Sequence, residues 1–275
     1  MSESAQPRPT VLRRVQLSTA AWQLLCQSTS DTLALPQDTA EGAEAALDGA
    51  TTKAAWAELQ ALGMSPHPGE VKRQWTGAVA LLLTAPIKVT ARATYNGVST
   101  TSVLGLRAGR GLAAHQRHIS EQAGAQTVIT GSEDSMEITL FDEEKLWGAT
   151  ARLLPPLAAV RAGAKAAPLN SRPGTEIGAG ATPAQAAALT AGEEANITLS
   201  VTAAAPGLPE RLWAGMWSVR GGQLFSITTG TAADPAVRLS EVPPGHIANE
   251  LLFAVVGAHE ALSGAGQGAG EGGAL

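Results

Sequence analysis

Apolar and polar positions change their period along this chain, and the changes divide it. Residues 11–17, VLRRVQL, read as a strand, and Ser18 then stands as N-cap to TAAWQLLCQ, where Trp22, Leu25 and Cys26 share a face. TTKAAWAELQALG carries Trp56, Leu59 and Leu62 in helical register with Gly63 as its stop. EVKRQWTGAVALLLTA aligns Val71, Trp75, Val79 and Leu82 on one stripe before Pro86. From Ile87 the period drops to two. IKVTARATYNGVSTTSVLGLRA alternates around Asn96-Gly97, a two-residue hairpin signal that pairs Tyr95 with Val98. Counting outward pairs Ala93 with Thr100, Ala91 with Ser102, Val89 with Leu104 and Ile87 with Leu106, which gives one mostly apolar face and one polar face. LAAHQRHIS, QTVITG and SMEITLF continue as strands. Asp142 then caps a helix, DEEKLWGATARLL, that Pro155-Pro156 stops.

The pattern returns at a spacing of 110 (197 − 87). Ile87, Val89, Ala91, Gly105, Arg110 and Gly111 recur as Ile197, Leu199, Val201, Gly215, Arg220 and Gly221. AVRLSEV leads to PPGHIANELLFAVVG as SMEITLF leads to LWGATARLLPP. The expectation is an α+β fold of two pseudo-symmetric halves, each an antiparallel sheet followed by a helix, with extra N-terminal helices. Residues 11–156 form the first half, 157–195 a Gly/Ala/Pro-rich joint, and 196–260 a second copy shorter by about one strand. Residues 1–10 and the Gly/Ala tail 261–275 read as disordered.

Carrying the spacing across the hairpin matches Leu104 and Leu106, on the helix-packed face, to Ala214 and Met216. Trp213 and Trp217 then match Val103 and Arg107 on the opposite face. Either the N-terminal helices cover that face and make these core residues, or it is half-open for a partner, since Trp is enriched in binding hot spots. Val103, Arg107, Trp213 and Trp217 are the candidate partner-binding residues.

Composition narrows the function. A net charge of −5 argues against a general nucleic-acid binder, which needs a basic face. The one cysteine, Cys26, sits in an apolar run and reads as a buried, inert thiol. The longest apolar run, AVALLLTAPI, is too short to span a bilayer, and residues 1–10 lead into no apolar signal region, so a cytoplasmic protein is the expectation. The segment VLGLRAGRGLAAHQRH is tempting as a phosphate loop. Its glycines, however, run GxxxGxG into further alternating sequence rather than into a helix with Lys-Ser/Thr, so a hairpin turn is the better reading. His115 and His118 are three apart, which on a strand sends them to opposite sides. No GxSxG elbow is present. The expectation is a non-enzyme with no catalytic residue, cofactor or metal site.

The order of elements resembles a known family. A helical N-terminal segment precedes alternating strands, a Gly/Arg turn, and SMEITLFDEEKLWGATARLLPP as strand–helix–LPP. A Pro/Gly-rich joint and a second, shorter copy ending in strand and helix follow. This is similar to the actinobacterial EspG family, the cytosolic chaperones of type VII (ESX) secretion, over residues 11–257. The resemblance implies a protein that binds the apolar tip of a helical PE/PPE- or WXG-type secretion substrate and keeps it soluble for export. No binding residue carries over by motif. A small-molecule-binding or hydrolytic α+β protein, with a cavity between sheet and helices, is the alternative. No nucleic acid and no membrane insertion are expected, and monomer and homodimer both stay open.

Overall fold

The Asn96-Gly97 turn sets the frame of the molecule. In the computed structural model, which describes residues 11–35, 47–123, 126–164, 172–177, 192–205, 210–229 and 237–268, Asn96 and Gly97 take φ values of 50° and 70°. These left-handed angles suit a tight hairpin whose twist matches its strands. Strands β2 (Ile87–Tyr95) and β3 (Val98–Arg107) pair from Tyr95↔Val98 to Ile87↔Leu106, the register the turn predicts. Eight further strands join them: β1 (Arg13–Leu17), β4 (Arg110–Ala123), β5 (Gln126–Asp142), β6 (Arg172–Ile177), β7 (Glu193–Ala203), β8 (Arg211–Arg220), β9 (Gln223–Thr229) and β10 (Val237–Val242). They form a single antiparallel sheet in the order β1-β5-β4-β3-β2-β7-β8-β9-β10-β6.

Two expectations about the strands are corrected here. QTVITG and SMEITLF are not separate strands but parts of β5, which passes Gly131 through a register shift instead of a turn. The second copy is therefore not short of a strand. The joint also supplies β6, which lies beyond β10 at the sheet edge as β1 lies beyond β5. Its remaining residues, 165–171 and 178–191, lie outside the described residues, as do 1–10.

Helices cover the sheet on two sides, and strand alternation decides which residues meet them. α1 (Thr19–Leu33), α2 (Gly49–Ala61) and α3 (Arg73–Leu83) lie on one face of the first half, over Leu112, Ala114, Met136 and Ile138. Ser18, the cap the sequence proposes for α1, is in place; Asp48 caps α2 through the Thr51 N–H at 2.8 Å, and α3 follows Lys72 with no side-chain cap. Ser18 Oγ accepts from the Ala21 N–H at 3.1 Å, and Glu58 of α2 takes both the Ser18 N–H and its hydroxyl at 2.7 and 2.6 Å. One carboxylate thereby locks α2 against the start of α1. Cys26 is half-buried in this cluster. Gly105 brings α3 down onto β3: a Cβ there would lie 2.3 Å from the Leu81 carbonyl oxygen.

The other face is the larger core. α4 (Leu146–Leu153), α5 (Ala158–Arg161) and α6 (His246–Gly268) pack on Ile87, Val89, Leu104, Leu106, Ile197, Leu199 and Val201. Each such side chain contributes roughly 1.5–3 kcal/mol on burial. Asp142 makes no capping bond; it pairs with Arg110 at 2.6 Å, and a 3-10 turn over Glu143–Lys145 opens α4 instead. α6 runs on to Gly268, so helix extends into a stretch whose Gly/Ala composition predicts disorder, while 269–275 lie outside the described residues. Among the described residues, no helix is long and apolar enough to cross a membrane.

Candidate functional site

The four residues chosen from sequence do not come together. Val103 is half-buried beneath the N-terminal helices, and Arg107, exposed at the end of β3, donates to Thr84 Oγ1 at 2.9 Å. Trp213 and Trp217 lie on the other face of the sheet. Trp217 is 2% exposed within the core under α6, and Trp213 is half-buried beside it with ring centroids 6.2 Å apart. The predicted face was wrong by one residue. Ile87 pairs with Leu106, a separation of 19 (106 − 87), whereas Ile197 pairs with Trp217, a separation of 20 (217 − 197). Asn96-Gly97 is replaced by a longer β7–β8 connection, so the 110 spacing ends there, and a one-residue slip turns every side chain over. Trp217 thus stands where Leu106 does, and its burial removes it as a surface contact.

Trp217 instead ties α6 to the sheet. Its indole Nε1–H donates to His246 Nδ1 at 3.1 Å. Indole nitrogen only donates, so His246 is neutral with its proton on Nε2, which faces Glu250 Oε1 at 4.0 Å. Burial holds the His246 pKa below its ordinary value, against the opposing pull of Glu250. Burial also lowers His115, with Glu137 opposing, and lowers His118. Depressed histidines bind fewer protons folded than unfolded. Their stabilisation is complete above the unfolded value near 6.5 and is lost as pH falls through the folded values. Urea midpoints are accordingly expected to hold steady from pH 8 to 7 and to fall from 6.5 towards 5; midpoints that rise over the acidic interval would refute this.

Exposed large apolar side chains occur singly at Leu12, Leu33 and Leu212, together at Ile119, Val128 and Ile129 on β4 and β5, and as a row on α6. Ile247, Leu251, Ala254, Val255 and Ala258 face the sheet, while Leu252, Phe253 and Val256 are 36%, 77% and 55% exposed on the outer side. The spacing of one, three and four residues puts these three on one stripe. An amphipathic helix normally carries polar residues there. The sequence shows the signal, ELLFAVVG, as apolar positions on two sides of one helix, where a single stripe would serve the core.

A second feature lies between sheet and helices. A cavity of about 540 Å³ opens where the α4–α5 corner overhangs β1, β5, β4, β3 and β2. His115 and Glu137 stand side by side on its floor, and Ser102, buried, is the cross-strand neighbour of His115. Ser102 Oγ and His115 Nδ1 are 2.8 Å apart. Glu137 is engaged by Arg14 and Thr139. The pair does not make a hydrolase site. Ser102 is buried in a strand flanked on both sides, so the sheet takes up the backbone N–H groups that would form an oxyanion hole. Glu137 is also spent on Arg14 instead of orienting the imidazole. His118 lies on the opposite face, with Nδ1 2.8 Å from Ser132 Oγ, so the H-x-x-H splits across the sheet. Among the described residues, no cluster of His, Cys, Asp and Glu is arranged to hold a metal ion.

Fold and surface define an α+β protein built on one wide antiparallel sheet, with an apolar helix face turned outward. No family model matches the sequence, and neither does any curated protein.

Proposed function

We propose that this chain is a binding protein, a cytosolic chaperone or adaptor of the EspG kind, that docks the apolar tip of a helical PE/PPE- or WXG-type secretion substrate. The outer stripe of α6 carries the reading. Phe253 at 77% exposure is a large apolar side chain held out on a helix whose other side is fixed to the core. Apolar knobs of this kind, rimmed by Glu250 and Glu260, suit an amphipathic helix as partner.

Pseudo-symmetry of the two halves supports the family likeness. The strand order reads alike from either edge, β1-β5-β4-β3-β2 and β6-β10-β9-β8-β7. The central pair obeys the same rule: adding 110 to Ile87 and subtracting it from Ala203 turns Ile87↔Ala203 into Ile197↔Ala93, which is also a pair. In each half an aromatic ring lies over a glycine of the helix-packed face, Phe141 over Gly111 and Trp217 over Gly215.

The test is co-expression with PE–PPE heterodimers and with WXG-type pairs, followed by titration of the purified proteins. The wild-type chain is expected to form a stable complex with one of them. Phe253→Asp is expected to weaken it at least about 30-fold, the loss of a hot spot of 2 kcal/mol or more. The urea midpoint should barely move, because the side chain is mostly in solvent. A complex indifferent to Phe253→Asp, or no complex with any of these substrates, would sink the proposal.

A further inference from the structure

The cavity under the α4–α5 corner has a charge imbalance with no use in the docking reading. Four arginines line it, Arg14, Arg117, Arg152 and Arg161, against two acids, Glu133 and Glu137. Both acids are already paired: Glu137 with Arg14, and Glu133 with Arg117 at 3.6 Å. Arg152 and Arg161 remain. Arg161 is pinned in the roof, where Nε and Nη2 donate to the Leu154 carbonyl at 3.1 and 2.5 Å and Nη2 reaches the Arg152 carbonyl at 3.2 Å. Among the described residues Nη1 has no partner, and the bonds fix this guanidinium in a cavity that Arg152 also lines. No acid pairs with Arg152 among the described residues. Burial and then the Arg152 charge hold the Arg161 pKa below its ordinary value.

Two guanidinium groups in one cavity, neither paired with an acid among the described residues, suit an anion with several oxygens. Beside them the wall is apolar, formed by Tyr95, Val98, Leu153 and Pro155. We propose that this cavity binds a small organic anion, a phosphate monoester or dicarboxylate, with its charged end on Arg152 and Arg161 and its carbon body against Tyr95 and Leu153. Arg14 and Arg117, each already neutralised, act as a second ring of positive potential and not as primary ligands. The neutral His115 on the floor adds no charge to oppose the ligand's body. The site rests on the cavity's own residues and not on the docking role of α6.

The experiment is calorimetric titration of the full chain at constant ionic strength with inorganic phosphate, phenyl phosphate and succinate. Phenyl phosphate or succinate is expected to bind one-to-one, and whichever does so names the anion class. If phenyl phosphate is the ligand, it should bind more tightly than inorganic phosphate because of the apolar wall. Arg152→Gln is expected to weaken binding about tenfold or more, the loss of a charged hydrogen bond. Arg152→Lys, which keeps the charge without the fork, should fall between the two and still binds if the glutamine variant folds poorly. Arg73→Gln, on α3 across the sheet, serves as the control for bulk charge and should leave binding unchanged. No heat from any of the three probes at millimolar concentration overturns the proposal. So does binding that Arg152→Gln leaves intact, or that Arg73→Gln weakens equally.

Discussion

Trp217→Ala is expected to cost about 3–5 kcal/mol of folding stability, the range for removing a large buried aromatic side chain. For a chain of this size that lowers the melting temperature by roughly 6–20 °C. The indole fills the space between β8 and α6 at 2% exposure, covers Gly215, and supplies the bond to His246. Its removal opens a cavity and leaves the His246 nitrogen without its donor. Trp217→Phe removes the N–H, worth about 1 kcal/mol, and trims the far ring that lies over Gly215, so its cost should fall below that of Trp217→Ala. Trp213→Ala, at a half-buried position, should cost less than Trp217→Ala. The ordering Trp217→Ala, then Trp213→Ala and Trp217→Phe, is read from thermal or urea unfolding. A Trp217→Ala protein as stable as the wild type would mean that the residue is a surface contact after all, and that the β7–β8 register is the ungapped one.

That register shows what the sequence can and cannot convey. β2 and β3 are legible because two independent signals agree: the Asn96-Gly97 turn fixes the pairing, and Lys88, Thr90 and Arg92 alternate with Ile87, Val89 and Ala91. In β8 the turn chemistry is missing, and alternation offers nothing in its place. Leu212, Ala214 and Met216 are as apolar as Trp213, Gly215 and Trp217, so neither face declares itself. The N-terminal helices are legible for local reasons: Ser18 caps the first, and apolar residues recur at helical spacing in all three. The cavity is not. Its cations come from positions 14, 117, 152 and 161, and nothing in their spacing brings them together; only the order of β1, β5 and β4, and the corner after α4, does so. The α6 stripe falls between these cases. Its residues are adjacent in sequence, but whether Phe253 or Leu251 faces the core depends on how the helix is rotated on the sheet.

Gly105→Ala tests the other side of the sheet and should have the second-largest effect. Gly105, Gly109 and Gly111 look alike in sequence, yet they do different work. Gly109, at φ 76°, shapes the turn between β3 and β4, and nothing stands within 4 Å of where its Cβ would be. Gly111 leaves room for the buried Phe141 ring, an obstacle of side-chain atoms and not of backbone. At Gly105 the obstacles are the Leu81 carbonyl oxygen at 2.3 Å and the Leu82 Cα at 2.7 Å, both backbone of α3. A methyl group there cannot be met by a rotamer change. α3 must lift as a body, which loosens Trp75, Val79 and Leu82 from the sheet. Overpacking of this kind costs about 1–3 kcal/mol, and the rigid obstacle puts Gly105→Ala at or above the top of that range. Gly111→Ala should cost less, because a ring gives way more easily than a helix. Urea unfolding of the two variants checks the order. Equal losses would show that α3 rides on β3 loosely enough to shift at little cost, and that the close approach at Gly105 is not what holds the N-terminal helices in place.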